Sequence, residues 1–206
     1  MARSQKFWNR IAERYAKKPV GDEAAYQKKL AMTREYFRQD MEVLEIGCGT
    51  GSTAIAHAPH VGHVRATDIS EKMIEIAKRK AATAGVENVT FEALAIEDLD
   101  VASESVDAVL ALSLLHLLDD KEAVIARIHD TLRPGGILVS NTVCLGDSMK
   151  WFRFVGPIGT WLGIFPLVRI FTRTELESSF RSAGFDIEHA WQPDKRVVFI
   201  IARKAR

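Results

Sequence analysis

From residue 42 to about residue 143, short runs of branched aliphatic residues alternate with longer stretches whose apolar positions recur at helical spacing. Glu42–Ile46, Val64–Asp68, Val89–Glu92, Val106–Leu112 and Ile137–Thr142 read as strands, each brief and bounded by turn residues. Between them, Ser70 is a good N-cap for a helix that runs to Ala84 and stops at Gly85. Asp119 followed by Glu122 resembles a capping box for a helix to about Thr131, which Arg133-Pro134-Gly135-Gly136 should end. Strand–helix alternation with short connections predicts right-handed crossovers and a parallel sheet covered on both faces.

The flanks break this rhythm. Residues 4–38 read as one or two helices, interrupted at Pro19-Val-Gly-Asp22. After residue 143 comes an irregular apolar stretch, then Thr172-Arg-Thr-Glu175, a capping box for a helix ending at Gly184. Phe185–Trp191 and Arg196–Ala202 flank Gln192-Pro-Asp-Lys195 and read as a terminal antiparallel hairpin. The expected fold class is therefore α/β: a doubly wound, Rossmann-like, seven-stranded sheet, mostly parallel, with a C-terminal antiparallel hairpin. Residues 1–206 read as a single domain, with 1–40 as a helical cap and 144–171 as an apolar lid or acceptor-site insertion.

Composition narrows the class without changing it. Lys plus Arg (28) nearly balance Asp plus Glu (27), so no electrostatic footprint for nucleic acid is present, and a nucleic-acid partner is not expected. Cys48 and Cys144 are too few for a disulfide framework or a cysteine-based metal site, and no metal is expected. The N-terminal residues lack the apolar core of a secretory signal, so a reducing cytoplasm is the expected compartment. Phe154–Val168 is strongly apolar but shorter than the roughly 20 residues needed to cross a bilayer.

The sharpest chemical signal is Val43-Leu-Glu-Ile-Gly-Cys-Gly-Thr-Gly-Ser52, an apolar strand running into three alternate glycines and then a helical segment. Gly47, Gly49 and Gly51 let the backbone turn tightly and approach a ligand closely. Nineteen residues after Gly49, Asp68 ends the second strand, at the spacing of an acid that accepts ribose hydroxyls. Glu45, two residues before the first glycine, is a poor neighbour for a pyrophosphate and a good one for an ammonium group. The Gly-x-Gly-x-Gly spacing also departs from the Gly-x-Gly-x-x-Gly of dinucleotide binders.

Glu45-x-Gly47-x-Gly49-x-Gly51 resembles the first motif of class I S-adenosylmethionine (SAM)-dependent methyltransferases, and Thr67-Asp68-Ile69-Ser70 resembles their second. Phe91–Leu99, Ser105–His116 and Leu132–Val139 are similar to the segments around the third, fourth and fifth strands, and Ala183-Gly-Phe185 also fits. The likeness covers residues 43–143 and 172–202 and points to the small-molecule branch that contains quinone-precursor and phospholipid methyltransferases. It implies SAM as cofactor, held by Glu45, Gly47, Cys48, Gly49, Gly51, Asp68, Ile69, Met73, Ala95, Ile96, Glu97 and Ser113. Tyr15 and Tyr26 lie in the segment that folds over the pocket in relatives, where each reads either as a contact of the SAM methionine carboxylate or as a helix-packing residue. Where many relatives place an adenine-contacting aspartate, this chain has Leu94-Ala95-Ile96, so the backbone of Ala95-Ile96, or Glu97, takes that place.

The implied partner is a small, partly apolar acceptor: lipid, quinone precursor, thiol or amine. An O–H acceptor gains from a base, and His116, following the fourth strand, reads either as that base or substrate contact or as a hydrogen-bonded structural histidine. The other histidines read as solvated or structural. Trp151, Trp161 and Phe165, with Arg153 and Arg169 nearby, read as acceptor pocket, as lid, or as contact with a membrane surface. Two other functions stand beside methyl transfer. A nicotinamide-dependent oxidoreductase is disfavoured by Glu45, the glycine spacing and the hairpin; a non-catalytic SAM-binding protein stays open, because methyl transfer needs few obligatory side chains.

Overall fold

The structure, a computed structural model, describes residues 2–147 and 168–206. The chain packs as two compact units, residues 1–100 and 101–206.

In the first unit, α1 (Ala2–Ala16) and α2 (Glu23–Arg34) precede β1 (Glu42–Ile46), α3 (Ser52–His57), β2 (His63–Asp68), α4 (Glu71–Ala84) and β3 (Val89–Ala93). β1 pairs with β2 and β2 with β3, both parallel. Val43, Leu44, Ile46, Val64, Ala66 and Phe91 are buried along these strands, and Ile74 and Ala77 of α4 are buried with them. Such near-continuous apolar strands are what a sheet covered on both faces requires. Two helices of the unit have side-chain caps: Asp22 accepts from Ala25 N (2.9 Å) at α2 and Ser70 Oγ from Met73 N (3.2 Å) at α4, while the N-cap of α3, Gly51, has none.

The second unit contains β4 (Val106–Leu112), α5 (Lys121–Thr131), β5 (Leu132–Val143), α6 (Arg173–Ser182), β6 (Phe185–Asp194) and β7 (Val197–Lys204). β4 and β5 are parallel; β7 pairs antiparallel with β5 on one side and β6 on the other. Its core is built from Leu110, Leu138, Val139 and Phe199–Ile201, with Leu176 and Phe180 of α6. The capping box predicted for α6 is complete: Thr172 Oγ1 accepts from Glu175 N (3.1 Å), and Glu175 Oε2 accepts from Thr172 N (2.7 Å). Seven strands, mostly parallel and closed by an antiparallel hairpin, give the α/β class expected from the sequence.

Three local expectations are corrected. The cap of α5 is Asp120, one residue later than expected, accepting from Ala123 N at 2.9 Å. The helix does end at Thr131 before Arg133-Pro-Gly-Gly136, but β5 starts at Leu132 rather than Ile137, the pairing passing from Val106–Leu132 to Ala108–Ile137 so that Arg133–Gly136 form an irregularity in β5. The hairpin turn is also tighter than expected, since β6 runs on to Asp194.

One glycine is demanded by both conformation and space. Gly51 has φ +73, and a Cβ there would stand 2.7 Å from Phe91 Cε1 and 2.8 Å from Ala77 Cβ. Gly85, with φ +65 at the end of α4, has nothing within 4 Å. Gly51→Ala is therefore expected to cost about 2–4 kcal/mol, backbone strain plus overpacking. Gly85→Ala should cost about 1 kcal/mol from the backbone alone. Urea unfolding of both variants checks this; equal losses would show that the Phe91–Ala77 contact yields freely.

Candidate functional site

The end of β1 and the end of β2 are welded together by the loop between β1 and α3. Cys48 N donates to Thr67 O (2.9 Å), and Gly51 N closes the turn on Cys48 O (3.0 Å). Asp68, the last residue of β2, accepts Gly49 N on Oδ2 (2.9 Å) and Ser70 N on Oδ1 (2.8 Å). Each carboxylate oxygen thus keeps one lone pair for another donor. Burial pushes the Asp68 carboxyl up, and the two N–H donors act against that shift.

Glu45 lies under the same loop and is fully buried. Its carboxyl meets the backbone N–H of Ala54 in the first turn of α3, where a negative charge suits the helix terminus. Oε2 has no hydrogen-bond partner. Burial, then the nearby Asp68 charge, push this carboxyl up to about 8, with the Ala54 bond opposing. A buried acid with one unpaired oxygen beside a second acid is a site that gains from a cation.

Two aromatic hydroxyls face these acids. Tyr26 of α2 hydrogen-bonds the Thr53 side chain, and its phenol is pushed up by burial and by Glu45. Tyr15 of α1 places its ring edge 3.9 Å from where a Gly49 Cβ would stand, and its phenol is pushed up by burial and then by Asp68. Cys48 is buried, and its thiol is pushed well up by burial, then by Glu45 and Asp68, so it is inert as a nucleophile. The backbone beyond β3 is tied to the same corner through Leu94 N to Asp68 O (2.9 Å). Ala95 then caps a single turn over Ile96–Asp98, with Glu97 exposed.

The first unit therefore brings together Tyr15, Tyr26, Glu45, Gly47, Cys48, Gly49, Gly51, Asp68 and Ile69 around one corner, with Ala95–Glu97 beside it. Met73 is placed differently: it is 1% exposed and packed against Ala12, Ile76 and Trp8, so its side chain serves the contact of α1 with α4. Sequence reading missed Asn9, whose Oδ1 accepts from Ser70 Oγ at 2.6 Å, and Lys80, which donates to Ser52 Oγ at 2.5 Å. Both partners are far away in the chain, so no local pattern marks either residue.

Ser113 and His116 belong to the second unit. Ser113 has φ 57, which a non-glycine residue seldom adopts, and its N–H donates to Asn141 O at 2.6 Å. His116 is buried in the single turn after β4, its Nδ1 has no partner, and burial draws its imidazole down to about 4. It is neutral at ordinary pH. Trp151, Trp161 and Phe165 lie outside the described residues. A cleft of about 1060 Å³ beside α5 and α6 includes neither Ser113 nor His116 in its lining. No group of three or more metal-ligating side chains occurs among the described residues.

Residues 43–136 match the model of a methyltransferase domain. The ubiquinone biosynthesis O-methyltransferase of Cereibacter sphaeroides is 28% identical over 152 residues, 72% of this chain and 61% of that protein. The 27-O-demethylrifamycin SV methyltransferase of Amycolatopsis mediterranei is 32% identical over 157 residues, 72% of this chain and 55% of that protein. The chain spans between 27% and 61% of the length of the first curated relatives it matches. Among solved structures, the YcgJ protein of Bacillus subtilis superposes with a TM-score of 0.73, at 18% identity, over 87% of this chain and all but 1% of the other (99% covered).

The buried acid has a measurable consequence for stability. Between pH 4.5 and about 8 the folded chain keeps the Glu45 proton that the unfolded chain has lost, so stability falls with rising pH by about 1.4 kcal/mol per unit. His57, fully buried and drawn down to about 3 by burial and then by Arg34 and His60, works the other way up to its ordinary 6.5. Glu45 and His57 cancel between pH 4.5 and 6.5, where His116, drawn down to about 4, adds a rise, and above 6.5 the decline is uncompensated. Glu45→Gln should abolish that decline in urea unfolding of the ligand-free protein. Parallel profiles for wild type and variant would count against the proton on Glu45.

Proposed function

We propose that this chain, which belongs to the class I SAM-dependent methyltransferase family, transfers a methyl group from SAM to a small, partly apolar acceptor. The observation that carries the reading is the corner between β1 and β2. A glycine loop in which a Cβ on Gly49 would meet only the Tyr15 ring edge at 3.9 Å, a carboxylate at the end of β2 and a buried carboxyl with an unpaired oxygen suit a ligand that is cationic and has no phosphate. SAM fits that description.

When bound, SAM would supply a methyl group on a positively charged sulfur, to be taken by an acceptor lone pair that bonds to the methyl carbon as the carbon–sulfur bond breaks and leaves a neutral thioether. Asp68 would take the ribose hydroxyls on its two remaining lone pairs, since its orientation is already set by Gly49 and Ser70. Glu45 would give up its proton and answer the ammonium charge. The backbone of Ala95–Ile96 and Glu97 would border the base. In the second unit, Ser113 is proposed as a cofactor contact and His116, whose Nδ1 is unpartnered, as the group that takes the proton of an O–H acceptor. The names of two relatives, a ubiquinone biosynthesis O-methyltransferase and a 27-O-demethylrifamycin SV methyltransferase, both point to oxygen, which supports an O–H acceptor.

Asp68→Ala is expected to weaken SAM binding by about 2–4 kcal/mol in calorimetry, because two charge-assisted hydrogen bonds and the set of the loop are lost. Unchanged affinity in the folded variant would overturn the placement of the cofactor. S-adenosylhomocysteine release, screened across phenolic, lipid, thiol and amine acceptors, identifies the substrate. With an O–H acceptor, His116→Asn should lower kcat with SAM affinity unchanged. The acid limb of the wild-type rate profile should fall near pH 4 rather than near 6.5, since the base stays neutral down to that point. A wild-type rate retained by His116→Asn would remove the histidine from the chemistry.

A further inference from the structure

We propose that Asn9 is a positioning residue for the cofactor corner: its side-chain carbonyl latches α1 to the start of α4 and, through Ser70, holds Asp68 in place. The proposal rests on the reading of that corner as the SAM site.

The latch is a chain of hydrogen bonds with little freedom. Asn9 Oδ1 accepts Ser70 Oγ at 2.6 Å and Lys72 N at 3.3 Å. Because a backbone N–H can only donate, the Asn9 atom facing it must be the carbonyl oxygen, which fixes the amide orientation. Ser70 is completely buried and has a single hydroxyl proton. Its oxygen already accepts Met73 N as the cap of α4, so the proton must find an acceptor elsewhere, and Asn9 supplies it. The backbone N–H of the same serine donates to Asp68 Oδ1. Asp68 in turn holds Gly49. A displacement of Asn9 therefore reaches the carboxylate and the glycine loop through three hydrogen bonds.

The rest of α1 follows from where Asn9 is fixed. Trp8 and Ala12 pack on Met73 and Ile76, Glu13 bridges to Arg79 at 3.2 Å, and Tyr15 stands over Gly49. The Glu13 bridge is exposed on both sides and contributes little, and Trp8 and Ala12 make contacts without direction. Asn9 alone among these gives the helix a fixed register against the corner, since its two donors are directional. α1 thus covers the loop in one defined position, with Tyr15 beside Asp68, rather than resting on α4 at any of several.

The test compares Asn9→Ala, which removes the acceptor, with Asn9→Asp, which keeps it. Calorimetric titration with SAM should show affinity lowered about tenfold or more in the alanine variant and within about threefold of wild type in the aspartate variant. Hydrogen exchange on the ligand-free proteins is read alongside, and the Lys72 amide should lose protection in Asn9→Ala only. Should the alanine variant not fold, Asn9→Gln shifts the acceptor by one methylene and is expected to weaken binding in the same sense. Equal SAM affinity in wild type and Asn9→Ala overturns the role of Asn9, as does equal weakening in the alanine and aspartate variants. Absence of SAM binding by the wild type would instead overturn the functional reading, while the Lys72 exchange difference still reports on the latch.

Discussion

The two hydrogen bonds accepted by Asp68 hold the chemistry-bearing corner of the first unit together. One reaches back to Gly49 in the loop after β1, the other forward to Ser70 at the start of α4. Each is charge-assisted and partly shielded from water, where such bonds are worth about 1.5–3 kcal/mol. The parallel pairing of β1 and β2 brings the strand ends side by side, but it leaves the loops beyond them unspecified. The carboxylate specifies them. It also explains why an asparagine would be a poor replacement, since its NH2 group would face one of two N–H donors.

Around that corner the polar groups are arranged by sign. Asp68 supplies negative charge at the loop, the buried Glu45 carboxyl holds its proton in the ligand-free protein and can add a second charge on giving it up, two phenols from α1 and α2 face them, and among the described residues no basic side chain ion-pairs with either acid. Leaving Glu45 Oε2 unpaired costs the empty protein stability. Such a cost persists where a ligand removes it, and a cationic one does so directly. The same reasoning separates this corner from a phosphate cradle, which uses a similar glycine turn but cannot tolerate an acid beneath it.

Much of this was legible in the sequence because the signals are local. Three glycines at alternate positions mark a loop with positive φ, and all three have it. Ser70 and Thr172 cap helices where their spacing predicts, because a cap needs only the next three residues. What was illegible depends on distant partners. Pro134 looks like a breaker, yet the pairing with β4 skips from Leu132 to Ile137 and leaves room for it within β5. Asn9 looks like any polar residue on an amphipathic helix until Ser70, 61 residues on, is seen to need an acceptor. The protonation of Glu45 follows from its depth, which no motif reports.

Among the described residues, the outer strand of the terminal hairpin pairs in the sheet with β7 alone. A long edge strand is in general a template on which another chain can add itself. This edge is badly made for that purpose. The ladder is interrupted between Ile187 and His189 and again between Trp191 and Asp194, Pro193 has no N–H to offer, and Glu188 is held across the strand by Arg203 at 2.5 Å. The irregularities of β6 therefore act against self-association, and straightening them would be the shortest route from this fold to an aggregating one.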